Sequence, residues 1–297
     1  MMHAETRGMR GSMGAALLAA MLTVSFIATI ASAALAIRWR DYEVERALRA
    51  RLQAAWLLRG AVERATLILR EEARPGGLDH LEQPWTFLAR DRGDSPEVVD
   101  LSGEITDLQS RLNVMNLVTA DGFVSLPDYQ AFQRLFASLA LPSSELQKTI
   151  QGLAASRAKD ARPAALLPQR VDQLVWLGLS ADTVALLKPY VIVLPTPTPL
   201  NLNTASPEAM YAAVQGASFG DAQRLVDARA RAPFRTLGEV VKVLGPAGDS
   251  ISPSNSAVGV ASEYFQVAAR LQLDDGTVEQ RWVVQRTADS VHILWRE

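Results

Sequence analysis

The chain has 297 residues, enough for one large or two small domains, with 48% apolar and 21% charged side chains. A formal net charge of -2 gives no global attraction for phosphate backbones or anionic surfaces. The absence of cysteine excludes disulfides, thiolate metal sites and cysteine nucleophiles together. Residues 1–14 hold Arg7, Arg10, His3 and one acid, Glu5. Residues 15–37 carry no charge. At about 1.5 Å per residue they make roughly 35 Å of helix, enough for a hydrocarbon core of ~30 Å. The short basic flank favours a cytoplasmic N-terminus. A cleaved secretory signal is the alternative, with Ala31-Ser32-Ala33 as its cleavage site. Two features argue against it. The run exceeds the usual apolar core of a signal, about 7–15 residues. The helical pattern also continues through Val44, Leu48, Leu52, Ala55, Leu58, Val62, Ala65 and Leu69, one face of a helix. No Gly or Pro falls between Ala15 and Arg59. The spacing predicts one helix over 15–72: a membrane-spanning half, 15–37, and an amphipathic half, 38–72, whose stripe needs a folded body or partner helices to cover it.

Pro75-Gly76-Gly77 ends this pattern, and residues 73–96 read as loop. Residues 97–101 and 103–107 read as short strands around a turn. Seven helices of moderate length follow, over 127–140, 143–156, 170–177, 181–187, 207–214, 221–230 and 237–244. Ser206-Pro207 supplies an N-cap with proline at the first helical position, and Thr236-Leu237-Gly238-Glu239 has capping-box spacing. Residues 245–258 are rich in Gly, Ser and Pro, a loop. Strands return at 264–273, 277–286 and 291–296, the first two joined by Asp274-Asp275-Gly276. A lone two-stranded hairpin is marginal. The economical reading is therefore an α+β fold: a long N-terminal helix on one small antiparallel sheet, with a large helical domain inserted into it. The body then comprises 73–120 and 259–297, and the insertion 121–258.

Two asparagine pairs stand out. Asn113 and Asn116 close the run Asp107-Leu108-Gln109-Ser110-Arg111-Leu112-Asn113-Val114-Met115-Asn116-Leu117. Asn201 and Asn203, followed by Thr204, open the second helical half in Asn201-Leu202-Asn203-Thr204-Ala205. Asparagine side chains bond neighbouring backbone groups and cap helices, so a structural role is favoured over ligand binding.

The wording of these runs resembles the minor pseudopilin K family of type II secretion. Leu194-Pro195, Ala232-Pro233-Phe234 and Ser262-Glu263-Tyr264-Phe265 fit the same family. So does Gly14-Ala15-Ala16-Leu17-Leu18, which looks like the leader junction of a type IV pilin-like protein, with residues 1–14 as the leader. In that family a membrane peptidase cuts after the glycine and methylates the new N-terminus, here Ala15. Cutting after Gly8 would leave Arg10 in the apolar segment; Gly11 stays open as an alternative. Ordinary pilins carry a glutamate five residues after the cut, where this chain has Ala19, and minor pseudopilin K characteristically lacks it.

The resemblance implies a single-pass bacterial inner-membrane protein with a periplasmic body, at the tip of a pseudopilus. Its implied partners are minor pseudopilins I and J, the major pseudopilin, the prepilin peptidase and the inner-membrane assembly platform. Some members bind calcium in an acidic, glycine-containing loop of the helical domain. Between Phe132 and Leu187 no such loop is evident, and Asp160 stands alone among Lys159, Arg162 and alanines, so calcium is not carried over and no cofactor is expected.

Two other functions find less support in the sequence. Residues 201–237 also resemble a helix-hairpin-helix module of membrane DNA-uptake receptors. Its hairpin stretch, Gln215-Gly216-Ala217-Ser218-Phe219-Gly220, lacks Gly-x-Gly spacing and any Lys or Arg. Residues 201–243 hold five basic and four acidic side chains, a net of +1, too little for a DNA binder. For an enzyme, no Gly-x-Ser-x-Gly, His-Glu-x-x-His, P-loop or Rossmann motif occurs. His292 in the last strand reads as a half-buried structural side chain, and Glu71-Glu72 as a solvated helix end.

Overall fold

The computed structural model describes residues 9–72, 79–81, 88–92, 100–157, 166–251, 257–273 and 276–296, with 9–13, 88–92 and 100 described by backbone alone. The chain divides into two units, Met1–Leu57 and Leu58–Glu297. Helix α1, Met9–Glu71, runs from the first into the second. It starts earlier than the expected Ala15. Glycines 11 and 14 each cost a helix only about 1 kcal/mol relative to alanine, too little to stop it. In the first unit α1 is the one described element. Its apolar side chains between Leu17 and Ile37 are exposed, and it is long and apolar enough to cross a membrane.

In the second unit, Leu58, Val62, Ala65 and Leu69 of α1 are fully buried, the lower half of the expected stripe. Leu58, Val62 and Leu69 each contribute roughly 1.5–3 kcal/mol by leaving water. The sheet has five strands: β1 Leu88–Arg92, β2 Asp100–Asp107, β7 Tyr264–Leu273, β8 Gly276–Arg286 and β9 Val291–Arg296. They are antiparallel in the order β1-β2-β7-β8-β9. Ile105, Phe265, Val267, Ala269, Leu271 and Val284 are buried on one face, the alternation a half-buried sheet requires. The other face carries Glu279 between Arg270 and Arg281, at 2.8 and 2.6 Å.

The chain leaves this sheet after Asp107 and returns to it at Tyr264, and Asp107 pairs with Phe265 across the ladder. Adjacent exit and entry points are what an inserted domain needs. The insertion holds α2 Leu126–Ser138, α3 Ser143–Arg157, α4 Ala181–Leu187, α5 Pro207–Ala213, α6 Phe219–Arg231 and α7 Leu237–Leu244. Its core gathers Phe132, Leu135, Leu153, Leu174, Met210, Leu225 and Val240. Leu112, Val114, Met115, Leu117 and Val118 belong to that core too, so the helical part recruits the chain from just beyond the sheet. Arg134 ties the two helical halves. It donates to the carbonyls of Val214 and Ala217 at 2.6 and 2.5 Å, and its guanidinium lies 4.4 Å from the Tyr211 ring centre.

Several local expectations change. The turn expected between Leu101 and Gly103 does not form: β2 runs straight through Ser102, because Leu101, Ser102 and Gly103 are laddered to Leu271, Arg270 and Ala269 of β7, and Gly103 to Leu88 as well. Strand β1 lies where loop was expected. The helix over 170–177 is a 3-10 helix, Val171–Leu177, closed by Gly178 at φ 96 with its N–H on the Val175 carbonyl. Thr236 caps α7 by position but not by its side chain; Glu239 instead accepts from the Arg235 N–H. His292 is exposed rather than half-buried, since β9 is an edge strand, and it bonds Ser290 Oγ at 2.7 Å. Pro75-Gly76-Gly77, residues 97–99, Asp160 with Lys159 and Arg162, and Asp274-Asp275 lie outside the described residues.

Candidate functional site

The asparagines sit where the insertion meets the sheet. Two short parallel ladders mark the place: β3 Leu112–Asn113 with β4 Val191–Ile192, and β5 Leu200–Asn201 with β6 Val258–Gly259. Two-residue ladders are too short to hold by themselves, and side chains complete them.

Asn113 closes its own 3-10 turn by accepting from Met115 N at 3.1 Å, and accepts from Leu194 N at 3.2 Å. Its amide donates to Thr196 O and Thr198 Oγ1 at 2.8 and 3.2 Å. Asn116 exchanges two bonds with the backbone of Thr198, at 2.8 and 3.0 Å, and donates to Asp128 at 3.3 Å. Together they seat the 194–198 segment. Asn203 does the same for Phe234, accepting from its N–H at 2.8 Å and donating to its carbonyl at 3.0 Å.

Asn201 is at the centre and has no exposed surface. Its amide faces Asp79 O at 3.1 Å, Asp107 Oδ2 at 3.0 Å and Ser262 Oγ at 2.9 Å; its oxygen accepts from Asn203 N at 2.9 Å. Asp107 Oδ2 also accepts from Thr204 Oγ1 at 2.5 Å and Ser262 Oγ at 2.7 Å, and Oδ1 accepts from Gln109 N at 2.8 Å. Burial pushes the Asp107 carboxyl up from 3.8 to about 6, against the hydroxyls of Thr204 and Ser262 that hold it down. Beside it, Asp79 Oδ2 accepts from Ser262 N at 2.7 Å and from Arg286 at 2.5 Å. Burial raises Asp79 as well, outweighing Arg286. Gln109 completes the joint: its oxygen takes the Glu263 N–H at 2.6 Å and its amide donates to Pro199 O at 3.1 Å. The exit strand, the middle of the insertion and the return strand thus meet on one buried polar cluster, and every bond named here is internal.

Asp107 and Gln109 stand within the run that Asn113 and Asn116 close, and Ser262 opens Ser262-Glu263-Tyr264-Phe265, so membership of these runs was the available signal. Asp79 and Arg286 had none, being isolated charges far apart in the chain. Gly14, Ala15 and Ala19 are on exposed turns of α1, and no atom beyond the helix lies within 4 Å of a Cβ built at Gly14.

The helix-hairpin-helix-like stretch joins α5 to α6, with Gly216 at φ 81. Two of the amides that would meet a phosphate there are engaged. Ser218 N donates to Asp221 Oδ2 at 2.8 Å, and Asp221 N to Ser218 Oγ at 3.2 Å. A carboxylate therefore occupies the α6 N-terminus. Among the described residues, no three His, Asp or Glu side chains group so as to hold a metal ion.

Comparison with known proteins gives a consistent picture. Two family models described as type II secretion system protein K match residues 110–196 and 200–261. Type II secretion system protein K of Pseudomonas aeruginosa is 31% identical, over 90% of this chain and 86% of that protein. The Pectobacterium carotovorum protein of the same description is 25% identical, over 96% of this chain and 95% of that one. Among solved structures, a chain of the GspK-GspI-GspJ complex from the enterotoxigenic Escherichia coli Type 2 Secretion System matches with a TM-score of 0.64. That match covers 85% of this chain and 98% of the other at 16% identity, and it carries the fold alone.

Proposed function

The chain belongs to the protein K family of type II secretion systems, and from that premise we propose that it is a minor pseudopilin acting at the pseudopilus tip with minor pseudopilins I and J. There it initiates or caps the fibre that exports folded proteins across the outer membrane. The observation that carries this reading is the sheet interrupted between Asp107 and Tyr264 by a whole helical domain. A body enlarged in this way leaves little room for a further subunit above it. The fold-related Escherichia coli chain, found in a complex with GspI and GspJ, adds support. No catalytic role is proposed.

In this reading α1 crosses the bacterial inner membrane once, with the N-terminus in the cytoplasm and the body in the periplasm. The prepilin peptidase cuts after Gly14. The assembly platform then moves the helix out of lipid as residues 15–37 exchange lipid contacts for helices of I, J and the major pseudopilin. Alanine at position 19 suits a terminal subunit, which has less need of the pilin glutamate.

Two outcomes are expected. Mass spectrometry of the membrane-extracted protein gives a chain beginning with methylated Ala15; a start at Ser12 would move the cut to Gly11, and a start at Ala34 would support a secretory signal. The full chain in detergent co-elutes with minor pseudopilins I and J as one complex; three folded proteins eluting separately would sink the tip assignment.

A further inference from the structure

Alternate steps of four and three from Val44 reach Leu48, Arg51, Ala55, Leu58, Val62, Ala65 and Leu69. That alternation makes the seam along which one helix packs against another, and between Val44 and Leu69 it is apolar everywhere except at Arg51. The last four positions are buried in the second unit, at 0–2% exposure. The first four lie in the first unit, where α1 is the one described element. They are exposed, Val44 at 54% and Leu48 at 53%.

Arg51 has no counter-charge on its own helix. Side chains three and four residues apart are neighbours on a helix, and those of Arg51 are Ala47, Leu48, Ala54 and Ala55. Every other arginine from Arg38 to Arg59 has an acid at that spacing: Asp41 for Arg38, Glu43 for Arg40 and Arg46, Glu45 for Arg49, Glu63 for Arg59. Two of these pairs are closed in the structure, Arg49 on Glu45, and Arg59 on Glu63 at 3.1 Å. Lipid phosphate is out of reach as well. In the membrane-spanning reading Arg51 stands about 21 Å along the helix from Ile37, past the headgroups that flank the hydrocarbon. A cation between apolar seam positions loses water when a helix packs there, and needs an opposite charge from that helix.

We propose that the open seam, Val44 to Ala55, binds one helix of a minor pseudopilin, and that an aspartate or glutamate on that helix pairs with Arg51 and fixes its height along α1. The pairing rests on the tip reading above. A partner helix shifted by one turn, about 5 Å, leaves Arg51 among apolar side chains, so one register is accepted. A second copy in register is refused, because Arg51 then meets Arg51. A second copy slid by ten residues, about 15 Å, brings Asp41 to the same height and is the rival occupant.

The full chain in detergent is titrated with labelled minor pseudopilins I and J, and affinity is read by fluorescence anisotropy. R51E and R51L are each expected to weaken binding by at least about 30-fold, because the partner's carboxylate is left buried without a cation. R51K keeps most of the affinity. Acids of I and J are then replaced by arginine one at a time, and one such change restores binding to R51E. R51L decides the matter. With no carboxylate opposite, leucine completes an apolar seam and binding holds or tightens, which overturns the pairing and leaves the tip reading intact. Weakening that no acid reversal repairs overturns the carboxylate. A parent chain that binds neither I nor J removes the tip reading, and the pairing with it. A dimer of the chain alone, broken by R51E and restored by R51E/D41R, gives the seam to a second copy and overturns the proposal. Thermal unfolding of R51E, read by circular dichroism, is expected to match the parent; a lowered midpoint places the counter-charge inside the chain and overturns the proposal too.

Discussion

Asn201→Ala is expected to lower the stability of the folded body by about 3–4 kcal/mol. The alanine removes one acceptor and an amide facing three oxygens, and leaves Asp107, already pushed up by burial, with one donor fewer. A buried polar group left without its partner costs about 1–3 kcal/mol, and more than one is orphaned here. For a body of this size that is a fall of roughly 10 °C in thermal midpoint, read by circular dichroism of the detergent-solubilised chain. Asn116→Ala is the internal comparison. Asn116 is only partly buried, so water can replace some of what is lost, and its effect is expected to be about half as large. Equal effects, or a loss under about 1 kcal/mol at Asn201, would mean that the asparagines act as independent turn formers and not as one joint.

The second large effect is expected at the Asp79–Arg286 pair, whose side chains keep only 1% and 8% of their surface exposed. Asp79→Ala strands a buried guanidinium, at a cost of about 3–5 kcal/mol. Arg286 would keep its bond to Ser262 O at 2.8 Å and its seat 4.8 Å over the Phe265 ring, so the β7–β8 ladder itself should persist. Replacing both charges, as Asp79→Leu with Arg286→Met, is expected to recover most of the loss, because two apolar side chains of similar volume need no counter-charge. Glu72 enters the same balance. Burial raises its carboxyl, with Asp79 as the next cause, and its Oε2 has no hydrogen-bond partner, as is also true of Arg286 Nη1. With Asp79 gone, Glu72 is the nearby acid left to Arg286, and Asp79→Ala/Glu72→Gln should be worse than the two single losses added. Chemical denaturation of the four variants decides this. A double replacement no better than Asp79→Ala alone would show that packing, not charge, governs the site.

The long helix, the inserted helical domain and the β7–β8 hairpin were legible because each rests on local periodicity and punctuation. Residues 58 to 69 bury every third or fourth side chain, as their spacing demands, and Ser206 caps α5 through Ala209 N at 3.2 Å. The errors came where tertiary pairing overrides local preference. Ser102 reads as a turn between two short strands, yet β1 and β7 ladder Leu101 and Gly103 on either side of it and hold β2 extended. The asparagines were legible as turn residues, and Asn113 and Asn201 do bond the N–H two residues on. That the same side chains also reach backbone about 80 positions away, or Asp107 and Ser262, could not be read, because nothing local records where the return strand will lie. Asp79 and Arg286, 207 positions apart, are the extreme case.

The split sheet also has a consequence in time. Strand β2 finds its neighbour β7 only across the whole insertion: Asp107 meets Phe265. Closing so large a loop is slow compared with forming helices from neighbouring residues. As the chain folds, the helical domain can therefore condense first, while β2 waits with an open edge. The last strands then close the body. Until they arrive, Asp107 has no Ser262 and Asp79 has no Arg286, so the joint forms in the final step of folding.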